Sequence, residues 1–191
     1  MRYLTKGHRG IIYTADCNGG KVVLKMKLPE SRAVGRIANE VNWLRKLNRK
    51  GIGPKLVFPG KDWFAMEYIK GQRIVDFITK SEKAKTRSVL KAVLQQCFAL
   101  DKLHLDKEEM HRPVKHIIVQ KSGKPVMIDF ERCHKVRRAK NVTQFCQFIM
   151  SLSKILADKG IKINKEALIS RAREYKGKQT ARNLDRITGL I

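Results

Sequence analysis

Carboxylates are in short supply in this sequence. Seventeen Asp and Glu stand against 42 Lys and Arg, a formal net charge of +25, and the excess runs from end to end instead of gathering in a tail. A surface of that sign attracts nucleotide phosphates, RNA, DNA or acidic protein faces, and says nothing about fold. A lysine-rich, ion-paired surface of the heat-adapted kind is the plainer alternative, but 17 acids cannot pair 42 bases. Cysteine is sparse as well. Cys17, Cys97, Cys133 and Cys146 stand apart with no C-x-x-C spacing, which argues against a zinc knuckle or a disulfide framework and fits a reducing cytoplasm. Long apolar runs are missing too: residues 1–12 lack the apolar core of a signal peptide, and no run is long enough to span a bilayer. A cytoplasmic protein with no membrane span is expected. There is no internal repeat and no low-complexity tract.

What is present suffices for one functional unit. The chain has 191 residues, 42% of them hydrophobic, enough for one compact domain or two small lobes sharing a cleft. Ile11-Ile12-Tyr13 and Val22-Val23-Leu24 flank Asn18-Gly19-Gly20, residues that tolerate positive φ and predict a hairpin turn; Pro29 closes the second strand. Ile37, Val41, Leu44 and Leu47 recur at spacings of four, three and three, which predicts an amphipathic helix within residues 31–48, ended by Gly51-Ile52-Gly53-Pro54. Strand-like runs follow at 55–58 and 63–68. A broad apolar face predicts a long helix over 81–105, and Ile117-Ile118-Val119 and Val126-Met127-Ile128 form a hairpin about Gly123. Helices are predicted at 142–157 and 165–175. The order is a β-rich part with one helix, a hinge near residue 70, and a helical part with an inserted hairpin, hence α+β.

Four pieces of this pattern carry chemistry. Gly7-His8-Arg9-Gly10 is a turn that can lay backbone N–H groups against phosphates, although two glycines three apart occur in many ordinary turns. Val22-Val23-Leu24-Lys25 is an apolar strand ending in a cation that burial obliges to find an anion. Fifteen residues on, Glu40 sits in the amphipathic helix, and the two can form an ion pair aimed at nucleotide phosphates; two solvated surface charges are the alternative. In Trp63-Phe64-Ala65-Met66-Glu67-Tyr68-Ile69 a strand edge turning into a linker would offer backbone groups to an adenine, and an ordinary edge strand is the plain reading. Asp129, emerging from Val126-Met127-Ile128, is the strongest single metal-ligand candidate, because an acid leaving a buried strand needs a compensating cation. Its plain role would be to cap the next turn.

Taken in order, these pieces resemble the protein-kinase superfamily over residues 4–135. Lys25 is similar to the family's N-lobe strand lysine, Glu40 to its helix partner, Met66-Glu67-Tyr68 to the gatekeeper and hinge, and Asp129-Phe130-Glu131 to the metal-binding Asp-Phe-Gly. The resemblance is closest to the short atypical members: RIO kinases, the small archaeal kinase associated with tRNA threonylcarbamoylation, the lipopolysaccharide sugar kinases with their Asp-Phe-Asp-Arg, and short archaeal Ser/Thr kinases. It implies a two-lobed α+β fold across residues 1–191. Residues 1–69 would form a small β-rich N-lobe with one helix, and 70–191 a reduced, mainly helical C-lobe without a long activation segment. It also implies ATP contacts at Gly7, Gly10, Lys25, Met66, Glu67 and Ile69, and Mg²⁺ or Mn²⁺ on Asp129.

The catalytic loop departs from the family pattern. Anchored on the strand 117–119, His116 falls at the family's metal-binding asparagine and His111 at its catalytic aspartate. His111 is the candidate general base, with Glu108, Glu109 and Asp106 as alternatives if the loop is remodelled. His116 is a poor Mg²⁺ ligand, since nitrogen donors suit softer metals. Glu131 is a candidate second acid at the metal or a partner of Arg132 or Arg137. Three functions follow: transfer of the ATP γ-phosphoryl group to a hydroxyl, most simply of a Ser or Thr; a pseudokinase whose basic surface docks RNA, a ribosomal particle or an acidic protein; and an RNA-stimulated ATPase.

Overall fold

The computed structural model describes residues 1–7, 10–17, 19–28 and 35–191. It is an α+β chain that divides into two compact units, residues 1–70 with 126–133 and residues 71–125 with 134–191. His8, Arg9, Asn18, Pro29 and Ser31, used in the turn, hairpin and helix readings, lie outside the described residues.

The first unit holds a five-stranded antiparallel sheet of order β1-β2-β3-β5-β4, made of β1 (Arg2–Lys6), β2 (Gly10–Cys17), β3 (Gly20–Lys27), β4 (Leu56–Pro59) and β5 (Trp63–Glu67). Its helix is α1 (Arg36–Asn48). Ile37, Val41, Leu44 and Leu47 are all buried, as are Val22 and Val23 of β3 and Phe64 and Ala65 of β5. Each large apolar side chain removed from water in this way contributes about 1.5–3 kcal/mol. The end of α1 is fixed by Asn48, whose Nδ2 donates to the carbonyls of Ile52 and Pro54 while its Oδ1 accepts from Leu56 N at 2.8 Å, so that one side chain stops the helix and starts β4. Gly53 has φ +79°, and a Cβ there would lie 3.0 Å from Phe130 and 3.1 Å from Leu44. Phe130 is fully buried. Its packing beside Gly53 helps to explain why 126–133 groups with the first unit, whereas the sequence pattern had run the second part unbroken from 70 to 191.

The second unit opens with β6 (Gly71–Arg73), which pairs antiparallel with β8 (Ile117–Gln120). Helices α2 (Ile74–Lys80) and α3 (Lys83–Lys102), then strand β7 (Leu105–Asp106), lie between those strands in sequence. A turn at Gly123, φ +87°, leads into β9 (Pro125–Met127). Beyond 133 come β10 (His134–Lys135), paired with β7, and helices α4 (Asn141–Ser151), α5 (Ser153–Asp158), α6 (Lys165–Gly177) and α7 (Ala181–Thr188). The helix expected at 81–105 is α3, with the separate helix α2 before it and β7 beginning at Leu105, and the one expected at 142–157 breaks at Leu152, where ψ is 5°. Among the described residues no helix is long and apolar enough to cross a membrane.

A buried carboxylate organises this unit. Asp101, on α3, accepts hydrogen bonds from Asn141 N at 2.9 Å, Asn141 Nδ2 at 2.7 Å, Val142 N at 3.2 Å and Tyr175 Oη at 3.0 Å. Two of those donors are the orphan amides at the start of α4, so α3 supplies the N-terminal cap that α4 does not carry itself. Burial pushes the Asp101 carboxyl up, and the four donors oppose that shift. Tyr175→Phe removes one donor from a buried acceptor and should cost about 1–3 kcal/mol of unfolding free energy. Urea melts at neutral pH measure this, and an unchanged midpoint would show that the carboxylate does not need the phenol.

Candidate functional site

The first unit concentrates charge at one point. Strand β3 turns Lys25 inward, its side chain only 11% exposed, and its Nζ lies 2.7 Å from Glu40 Oε2, 3.1 Å from Asp129 Oδ1 and 3.3 Å from Glu131 Oε2. Glu40, 1% exposed, is on the apolar face of α1 because it follows Ile37 by three residues and precedes Leu44 by four. Its second oxygen, Oε1, accepts from Phe130 N at 3.0 Å. One carboxylate thus joins a strand, a helix and the 126–133 segment. Asp129 has φ +62°, a left-handed conformation that Asp tolerates better than most residues and that concentrates at functional positions.

Two further α1 side chains hold the same segment. Asn39 Nδ2 donates to the carbonyls of Glu131 at 2.9 Å and Cys133 at 3.1 Å, and Arg36 Nη1 donates to Glu131 O at 3.2 Å. Neither was singled out from the sequence; the available signal is their place one and four residues before Glu40. Gly10 also acquires a reason. A Cβ there would lie 2.8 Å from Met26 O and 3.9 Å from Lys25 Cγ, so glycine lets β2 cross β3 closely beside the lysine.

The electrostatics of the cluster are unequal. Burial alone would push the Lys25 ammonium down, but Glu40, Asp129 and Glu131 outweigh it and hold its pKa well above the ordinary lysine range. The Glu40 carboxyl is raised, chiefly by burial and secondarily by Asp129, against the opposing pull of Lys25 and Phe130 N. Lys25 lies within ion-pair distance of all three acids. Carboxylate oxygens from Glu40, Asp129 and Glu131 lie within 4.8 Å of one another. A hard divalent cation matches that donor set. Both Glu40 oxygens already serve Lys25 and Phe130, so Asp129, 38% exposed, and Glu131, 15% exposed, are the residues that would hold it.

The other residues predicted from the sequence are placed as follows. Gly7 N donates to Gly10 O at 2.9 Å, so that N–H is not offered to a phosphate. Met66 and Ile69 are buried. β5 is an inner strand rather than an edge, and Glu67 N is spent on Lys55 O and Tyr68 N on Lys21 O. In the second unit, His111 is exposed in a turn. The imidazole Nδ1 of His116 lies 3.1 Å from Glu109 Oε2.

No protein-family model matches the chain, and no curated protein matches it.

Lys25→Met would strip three acids of their shared cation. Removing one partner from a buried ion pair costs about 3–5 kcal/mol, and the same loss is expected here in urea melts at pH 7, with part of it regained in Lys25→Met/Glu40→Gln. If the double variant is as unstable as the two single variants added together, the pairing carries no energy of its own.

Proposed function

We propose that the chain is an ATP-dependent phosphotransferase of protein-kinase-like, RIO-like type, acting on a Ser or Thr hydroxyl. The observation that supports this best is the Lys25 ammonium held 2.7 Å from Glu40 and 3.1 Å from Asp129. A cation locked on by one buried carboxylate is fixed in place for the phosphates of a nucleotide, and an adjacent, more exposed carboxylate suits the metal that accompanies them.

In this reading Lys25 binds and orients the phosphates, and Glu40 keeps the ammonium from rotating away and ties it to Phe130. Asp129 and Glu131 hold Mg²⁺ or Mn²⁺, which when bound would neutralise charge on the phosphate oxygens during transfer. Met66, Glu67 and Ile69 border the adenine, and Gly10 allows close approach of the backbone beside Lys25. The strained backbone at Asp129 sets the direction of its carboxylate in advance, so less ordering remains to be done when nucleotide binds.

A second reading, an ATPase stimulated by RNA, is favoured by the excess of 42 Lys and Arg over 17 acids, which suits a polyanionic partner. Both place the protein in the cytoplasm.

Mg²⁺-ATP at a hundred times its Kd should raise the melting temperature of the wild type by roughly 5–10 °C and leave that of Lys25→Ala almost unmoved. Equal shifts in the two would remove Lys25 as a phosphate ligand. Asp129→Asn should abolish transfer of the γ-phosphoryl group from radiolabelled ATP to protein. Phosphate release that rises several-fold with added RNA, without protein labelling, would select the ATPase reading.

A further inference from the structure

We propose that the outer face of the five-stranded sheet binds single-stranded RNA, with unpaired bases stacking on Tyr3, Phe58 and Trp63. This stands apart from the phosphotransferase reading, because the Lys25 cluster occupies the other face of the same sheet.

The observations all lie within the first unit, and they start from alternation. Successive side chains of a strand point to opposite faces. Lys25 reaches Glu40 of α1, so α1 takes the face of Lys25, and Leu24 and Met26 belong to the opposite one. The register carries that opposite face across all five strands. Tyr3 pairs with Tyr13, Tyr13 with Leu24, Leu24 with Ala65, and Ala65 with Phe58. A second row runs beside it, in which Ile11 pairs with Met26 and Met26 with Trp63.

These two rows leave large apolar side chains open to water. Tyr3 is 59% exposed, Phe58 46%, Trp63 37% and Met26 36%. Contiguous apolar surface of this kind marks an interaction site. Its rings are also held in place. Tyr3 meets Tyr13 edge to face, with centroids 6.0 Å apart. A Cβ at Gly60 would lie 2.5 Å from the Trp63 ring, so only glycine lets the indole settle against the turn between β4 and β5. Neighbouring strands are about 4.8 Å apart, which sets Tyr3 and Phe58 roughly 19 Å from each other, room for two or three splayed bases.

Charge selects the occupant. In residues 1–70 fifteen Lys and Arg stand against five Asp and Glu. Lys6 pairs with Ile11 at the end of the second row, Lys27 follows Met26, and Lys61 lies in the turn before Trp63. Asp62 is the acid of that turn, and Glu67 accepts from Lys55 N. A second copy of the chain docked face to face would set like charges against each other. Aromatic rings bordered by lysines match a strand whose bases are unpaired and whose backbone is anionic, whereas a duplex keeps its base faces stacked. The phenol hydroxyls of Tyr3 and Tyr13 can pair with 2′-hydroxyls, which DNA lacks.

The test uses the full chain without ATP and follows the fluorescence anisotropy of a labelled oligouridylate. Phe58→Ala and Tyr3→Ala should each weaken binding by roughly 5- to 100-fold, with melting temperatures close to that of the wild type. Added RNA should quench the indole emission of the wild type. The quench should vanish in Trp63→Phe, where buried Trp43 is the remaining indole. The proposal is overturned if both alanine variants bind within twofold of wild type, because the lysines alone would then account for the affinity. It is overturned too if duplex RNA or oligothymidylate binds as tightly. A wild type that is dimeric in solution and becomes monomeric in Phe58→Ala would give the face to a second copy instead. The Mg²⁺-ATP melting shift should be the same in Phe58→Ala as in wild type, so that failure here and failure of the Lys25 reading are told apart.

Discussion

The ammonium of Lys25 stands among three carboxylates, and much of the first unit is arranged around that cluster. Glu40 is nearly inaccessible to water, and an isolated ionised carboxylate in that position would carry a large desolvation cost. Lys25 offsets part of it from one side and the amide of Phe130 offsets part from the other. The two bonds arrive from different parts of the chain. Through them the position of Glu40 on α1 fixes the direction of β3 at Lys25 and the path of the backbone at 129–130. The side chains of Arg36 and Asn39 add donors to the carbonyls that follow. The burial of Phe130 beside Gly53 makes the segment stay; the charges decide how it is turned.

The second unit buries a carboxylate by different means. Asp101 is held by two backbone amides, a side-chain amide and a phenol, all neutral donors. Such a group, given as many hydrogen bonds as its oxygens accept, joins α3, α4 and α6 and performs structural work. Glu40 is surrounded differently, by a cation as well as by a backbone amide. That contrast separates the two buried acidic centres better than burial does, because both Glu40 and Asp101 are about 1% exposed.

How much of this was legible in the sequence depended on range. The meeting of Lys25 and Glu40 could be read because each charge interrupts a pattern whose period fixes its direction. Lys25 ends an apolar strand, and Glu40 sits at a core-facing phase of a helix marked by Ile37, Val41, Leu44 and Leu47. Asp129 was readable for the same reason, as an acid closing Val126-Met127-Ile128. What these residues bind does not follow from the pattern. The loop at 106–116 resisted reading because its geometry is imposed from a distance. The left-handed turn at Glu108 and Glu109 depends on Asn141, more than thirty residues away, and no local propensity of Glu points to positive φ. Anchoring on the following strand set His111 in the acid's place, and the structure shows it exposed in a turn. The inner position of β5 was missed likewise, since pairing with β3 and β4 is decided by the sheet rather than by Trp63–Glu67 alone. The break at Leu152 has no proline or glycine to announce it.

Charge on two scales gives the proposed chemistry its order of events. A net charge of +25 draws an anionic nucleotide toward the protein and repels free divalent cations. At the Lys25 cluster three carboxylates gather, and on the proposed reading a bare triphosphate arriving there would meet Asp129 and Glu131 as like charges. A divalent cation removes the conflict by serving both the carboxylates and the phosphates. Neither ligand then binds well alone: the metal faces the long-range repulsion of the chain, and the nucleotide faces the local repulsion of the acids. Arriving together they satisfy both. On the proposed reading, metal and nucleotide affinities are therefore coupled, and the coupling originates in the scarcity of acids over the chain and their concentration around Lys25.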